Sequence, residues 1–137
     1  MPRAKRAADV HSRHTVLVVD DSTETRHAMV SLLEIKGFDV VGASSGKVAL
    51  YLFQAGFRPC VVMLDVRMPE MDGWAVWERM KSHPELAKIP VVILSANEDD
   101  RAWARTVGIA EFLRKPINRR SLVATADRHC DRQRPAA

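Results

Sequence analysis

Short apolar runs alternate with amphipathic stretches along almost the whole chain. Val16-Leu17-Val18-Val19 comes first and is stopped by Asp20-Asp21. Phe38-Asp39-Val40-Val41, Val61-Val62-Met63-Leu64, Val91-Val92-Ile93-Leu94 and the shorter Glu111-Phe112-Leu113 follow. Runs this short, rich in valine and isoleucine, predict strands covered on both faces. The Val40-Val41 and Phe112 runs are shorter or more polar, which suits sheet edges. Between them lie helical patterns. After Ser22, an N-cap residue type, Thr25, Ala28, Met29, Leu32 and Leu33 recur at helical spacing until Gly37 stops the pattern. A second helix is expected from Ser44-Ser45 to about Gly56. A third follows Gly73, with Val76, Trp77 and Met80 inward, and ends before Pro84. A fourth runs from about Glu98 to Val107, and a fifth starts near Asn118.

Five alternating strand–helix units with short connections predict an α/β fold: a doubly wound five-stranded parallel sheet in a three-layer sandwich. Ligands of such sheets bind at the carboxyl ends of the strands. That rule selects Asp20, Asp21, Asp65, Ser95 and the Lys115-Pro116 pair, and places three carboxylates, a hydroxyl and an ammonium on one rim. Clustered carboxylates repel, so a cation belongs among them, and an all-oxygen set favours Mg²⁺, for which Mn²⁺ could substitute. A carboxylate can act as the nucleophile that forms an acyl phosphate. Mg²⁺ and the lysine would then offset charge on the transferred group while the hydroxyl donates to it. One strand-end aspartate alone could equally be a helix cap; four strand ends with complementary chemistry are a different matter.

Val16–Asp21 (VLVVDD), Met63–Trp74 (MLDVRMPEMDGW), Val91–Ala96 (VVILSA) and Phe112–Pro116 (FLRKP) resemble the receiver domains of two-component response regulators. The resemblance spans about residues 15–130, with Asp-x-x-Met-Pro-x-Met-Asp-Gly from Asp65 as its most specific piece. It implies a flavodoxin-like (βα)5 sandwich of strand order 2-1-3-4-5. It implies Asp65 as phosphoacceptor, Asp21 as direct metal ligand with Asp20 assisting through water, and the backbone carbonyl of Arg67 as a further ligand. Lys115 would pair with the phosphoryl oxygens, Ser95 would be the switch hydroxyl and Phe112 the aromatic switch. Lys115-Pro116 would be cis. Ser95 replaces the commoner threonine, and Phe112 stands where tyrosine is frequent. Arg67 and Asn97 are expected to flank the route of attacking water. The implied donor is a sensor histidine kinase or histidine phosphotransferase. Output would pass to an unknown protein target, or to a second copy, through the helix 4–strand 5–helix 5 face, where Trp103, Arg105 and Arg114 are candidate contacts.

Composition narrows the alternatives. Of a formal net charge of +4, the first 14 residues hold +3 and residues 118–137 another +3, leaving the body mildly acidic. The basic ends read as solvated tails over 1–14 and 131–137, and neither a recognition helix nor an aromatic platform for nucleic acid is visible. Apolar runs are far shorter than a membrane span needs, and no secretory leader opens the chain. The expected location is cytoplasmic, with Cys60 and Cys130 as free thiols and Cys60 in the core. His11, His14, His27, His83 and His129 show no ligand spacing and are expected to be solvated. An aspartate-nucleophile phosphatase of another fold would want a second aspartate at position 67, which is Arg. The expectation is a stand-alone receiver whose only catalysis is its own phosphorylation and dephosphorylation; the alternative is a degenerate receiver acting as a phosphorylation-independent interaction module.

Overall fold

A computed structural model describes residues 15–109 and 111–131. Five strands, β1 (Thr15–Val19), β2 (Asp39–Ala43), β3 (Val61–Asp65), β4 (Val91–Ser95) and β5 (Glu111–Arg114), form one parallel sheet in the order β2-β1-β3-β4-β5. Five helices connect or follow them: α1 (Thr23–Ile35), α2 (Gly46–Gln54), α3 (Gly73–Lys81), α4 (Glu98–Thr106) and α5 (Arg119–His129). One 3₁₀ turn, Leu86–Lys88, precedes β4. The basic tails expected at 1–14 and 131–137 lie outside the described residues except for Asp131, as do His11 and His14.

Side chains alternate across the sheet, and each face has its own cover. Val16, Val18, Val61, Met63, Val92 and Leu94 pack with Met29 and Leu33 of α1 and Leu122 and Ala126 of α5. Leu17, Val19, Val62, Leu64 and Ile93 pack with Phe53, Val76, Met80 and Ala104 from α2, α3 and α4. The central strands β1 and β3 are buried along their whole length, whereas β2 and β5 keep partly exposed positions, as edges do. Ser22, Ser45, Asp72, Asn97 and Asn118 each cap a helix, their side chains accepting from a backbone N–H of the first turn. Gly37, Gly56 and Gly108 follow α1, α2 and α4 with φ of 101°, 99° and 90°, the left-handed stop that a side chain resists.

Two expectations need correction, and one helix face is covered only in part. The apolar stripe of α1 is not buried throughout. Met29 and Leu33 face the core, but Ala28 is exposed and lines, with Leu32 and Ile35, an open groove toward Pro116, Ile117 and Leu122. The stripe is wider than the sheet face that one helix can cover. The cysteines are not free thiols: Cys60, just before β3, and Cys130, at the C-cap of α5, form a disulfide, with Cα atoms 5.4 Å apart. Sequence spacing could not reveal this, because the pair is 70 residues apart and meets only once α5 has returned along the sheet. His129 is not merely solvated, since its Nε2 lies 2.6 Å from Glu111 Oε2. Arg128 donates to the same carboxylate at 2.6 Å, and these partners, Arg128 foremost, hold the Glu111 carboxyl below its ordinary range.

The disulfide restricts the unfolded chain across most of the domain. Loop-closure entropy for about 70 residues corresponds to roughly 4 kcal/mol. Thiol titration of the denatured, unreduced protein is expected to find no free thiol at Cys60 or Cys130. Reduction, or Cys130→Ser, is expected to lower the unfolding midpoint; two free thiols in the purified protein would refute the pairing.

Candidate functional site

The strand ends converge because the strands are parallel and nearly in register. Val18 lies beside Met63, and Leu64 beside Ile93, so β1, β3 and β4 finish together. Hydrogen bonds from Asp20 N to Ala43 O (3.1 Å) and from Lys115 N to Ser95 O (2.9 Å) carry the ladder one residue past the strands. Asp20, Asp65 and Ser95 are thereby buried, while Asp21 is exposed.

Lys115 organises the centre. Its ammonium donates to Asp65 Oδ1 at 3.0 Å and to Asp20 Oδ2 at 3.1 Å. The other Asp20 oxygen accepts from Ser22 N at 2.9 Å, and Arg26 donates to the Asp20 carbonyl at 2.8 Å. Burial opposes the charge on Lys115, but Asp65 and Asp20 outweigh it and hold the ammonium above its ordinary pKa. The Asp65 pKa is raised as well, which for a carboxyl disfavours the charged form. Desolvation pushes its carboxyl up, aided by nearby Asp20, and the Lys115 and Arg67 N–H contacts only partly offset this.

One carboxylate oxygen each from Asp20, Asp21 and Asp65 can be found within 4.8 Å of one another. A single ammonium does not neutralise three carboxylates, and oxygen donors of this kind can hold a hard divalent ion. The two Asp20 oxygens already serve Lys115 and Ser22, whereas Asp21 is open to solvent.

The loop after Asp65 is folded for proximity. A Cβ on Gly73 would run into the Asp65 carbonyl oxygen and meet Val66 Cα at 3.0 Å, so glycine alone permits this approach. Asp72 of the same motif caps α3 at Ala75 N, 2.9 Å away, and so holds the helix rather than the rim. Lys115-Pro116 is cis, as the resemblance implied.

The switch candidates occupy specific contacts. Ser95 Oγ donates to Asp100 Oδ2 at 2.5 Å and accepts from Asn97 N at 3.0 Å. Arg67 reaches α4, donating to both Asp100 oxygens at 2.9 and 3.1 Å. Its guanidinium is therefore engaged with α4 rather than held beside the Asp65 carboxylate. Asp100 was not foreseen: in the run Glu98-Asp99-Asp100 it reads as ordinary first-turn acid, and nothing local marks it as the one buried member. The half-buried Phe112 ring packs on the core, with Arg101 Cζ 4.6 Å from its centroid. Arg114 is tied to Glu98 at 3.1 Å, while Trp103 is half exposed. Trp77 is partly buried, with Lys81 over its ring.

Known proteins share this topology. The family model for the response regulator receiver domain covers residues 16–127, and the chain belongs to that family. Protein PilH of Pseudomonas aeruginosa is 30% identical over 112 residues, covering 80% of this chain and 92% of that protein. The probable transcriptional regulator ycf27 of Porphyra purpurea is 31% identical over 83% of this chain, which spans only 46% of that relative's length. Among solved structures, chemotaxis protein CheY4 of Vibrio cholerae superposes with a TM-score of 0.76 at 29% identity, over 84% of this chain and 97% of that one. No described helix is long and apolar enough to cross a membrane.

The raised Asp65 carboxyl has a stability consequence. The folded state binds that proton more tightly than the unfolded chain, so stability is fullest below the ordinary carboxylate range and is lost as pH rises through the raised pKa. Without divalent ions, Asp65→Asn is expected to unfold at a higher temperature than the wild type at neutral pH, with the gap closing on acidification. A less stable Asp65→Asn at pH 7 would show that Lys115 pairing outweighs desolvation.

Proposed function

We propose that this receiver takes a phosphoryl group from the phosphohistidine of a sensor histidine kinase or histidine phosphotransferase onto Asp65, and changes conformation to control a protein partner. The observation that carries the reading is the Lys115 ammonium bridging Asp65 and Asp20, with Asp21 open beside them. An Asp65 oxygen attacks phosphorus, the P–N bond breaks, and the leaving imidazole retains the electron pair and takes a proton. Lys115 orients the carboxylate and would pair with phosphoryl oxygens. A divalent ion, Mg²⁺ or Mn²⁺, would be held by Asp21, Asp65 and the Arg67 carbonyl, with Asp20 acting through water, and would supply positive charge to the transferred group. The buried Ser95 hydroxyl and the Phe112 ring would carry the change to the α4–β5–α5 face, where a protein target or a second copy would bind. The protein would turn over no separate substrate and would not bind nucleic acid directly; a cytoplasmic location would follow from the receiver family alone, since the Cys60–Cys130 disulfide removes the free thiols that favoured it.

Incubation with Mg²⁺ and a small acyl or amido phosphate is expected to add one base-labile phosphoryl group, and Asp65→Asn to abolish it. Undiminished labelling of the variant would refute the site, and an unlabelled wild type would favour a degenerate, phosphorylation-independent interaction module.

The ligand roles are separable by calorimetry. Asp21→Ala is expected to weaken Mg²⁺ binding more than Asp20→Ala, because Asp20 already spends both oxygens on protein donors. Equal or reversed losses would overturn that division.

A further inference from the structure

Ser95 carries a single hydroxyl proton, and a hydroxyl donates once. That proton is given to Asp100 Oδ2 at 2.5 Å, while Ser95 Oγ itself accepts from Asn97 N at 3.0 Å. Asp100 is itself 5% exposed, so its carboxylate depends on protein donors, and those resolved at its side chain are Ser95 and Arg67. Arg67 lies two residues after Asp65, with its side chain 62% exposed and its far end on α4. One buried carboxylate on α4 thus holds the hydroxyl at the end of β4 and a cation from the loop after β3.

From this geometry we propose that Asp100 is a positioning residue of the switch. It is a latch that holds the Ser95 proton away from Asp65 in the unphosphorylated protein, with Arg67 as the counter-ion that sets how strongly the latch needs that proton. The proposal rests on the phosphoacceptor reading of Asp65. A phosphoryl group there presents oxygens that compete with the Asp100 carboxylate for one proton, so each arrangement excludes the other. Arg67 acts through Asp100. While its guanidinium neutralises the carboxylate, Ser95 can leave; without Arg67 the buried charge has the Ser95 hydroxyl as its remaining side-chain donor and holds it more firmly. The latch also reaches the output side. Its helical turn carries Glu98, paired with Arg114, and Arg101, stacked on Phe112, so release of Asp100 loosens the turn that covers both β5 residues.

The test is titration with beryllofluoride and Mg²⁺, followed by the amide NMR shifts of Ser95 and residues 97–114. Asp100→Ala is expected to tighten the beryllofluoride midpoint on the order of tenfold, the scale of one charge-assisted hydrogen bond, and to move the unliganded spectrum toward the bound one. Asp100→Asn, which keeps the polar first turn of α4 should the alanine variant fold poorly, is expected to shift the same way by less. Arg67→Ala is expected to weaken the midpoint, and to have no effect once Asp100 is replaced. In a Ser95→Ala background, Asp100→Ala is expected to change nothing. A wild type that responds with a midpoint unaltered by both Asp100 variants, or an Arg67→Ala effect that persists without Asp100, would overturn the latch alone. No wild-type response at all would overturn the phosphoacceptor reading, and the latch with it.

Discussion

The site depends on one ammonium. Asp20 and Asp65 are both buried, their charges lie close together, and water is largely excluded from them. Lys115 touches both, and it can do so because β5 delivers it to the same rim by way of a sheet edge. A buried carboxylate pair left unpaired would cost several kcal/mol. The directions of the shifts show what the arrangement leaves undone: Lys115 is held firmly charged, yet Asp65 remains harder to ionise than in water. The deficit is positive charge, and it sits where a divalent ion and then a phosphoryl group could be accommodated.

Such a deficit is tolerable because the rest of the fold is ordinary. Two apolar layers cover the sheet, and β1 and β3 are buried from end to end. The unfavourable electrostatics of the rim sit at the last residue of β3 and one residue past β1, where backbone geometry rather than side-chain packing fixes the atoms. Gly73 shows how close the tolerance is: the loop folds onto the Asp65 carbonyl so tightly that a methyl group would not fit.

What was legible in the sequence follows the same division. Strand runs, caps and glycine stops are local signals, and they placed all five units to within a residue or two; β2 runs from Asp39 to Ala43, slightly later than the apolar run, and Phe38 is buried in the core before it. The rim residues were legible because parallel topology collects strand ends. Contacts that depend on two distant segments were not. Asp100 looks like its neighbours Glu98 and Asp99 until α4 is docked over Ser95. Cys60 and Cys130 are unremarkable until α5 runs back beside β3. Ala28 sits at a core spacing but faces a groove, because periodicity gives the direction of a helix face and not how far its neighbour extends.

The unforeseen contacts fall at opposite ends of the sheet, and they differ in kind. At the amino ends of the strands, a covalent bond ties Cys60 to the end of α5, and Glu111 gathers Arg128 and His129 beside it. At the carboxyl ends, α4 is held through exchangeable contacts: Ser95 and Arg67 on Asp100, Arg114 on Glu98, and Arg101 on Phe112. Exposed ion pairs such as Glu98–Arg114 contribute little individually and reform easily with water. The foot of α5 is therefore pinned while the first turn of α4 is free to trade partners. A phosphoryl charge on Asp65, as proposed, would meet the α4 end first, and the rearrangement would then run through α4 and β5 while the covalently tied foot of α5 stays as the frame against which it is read.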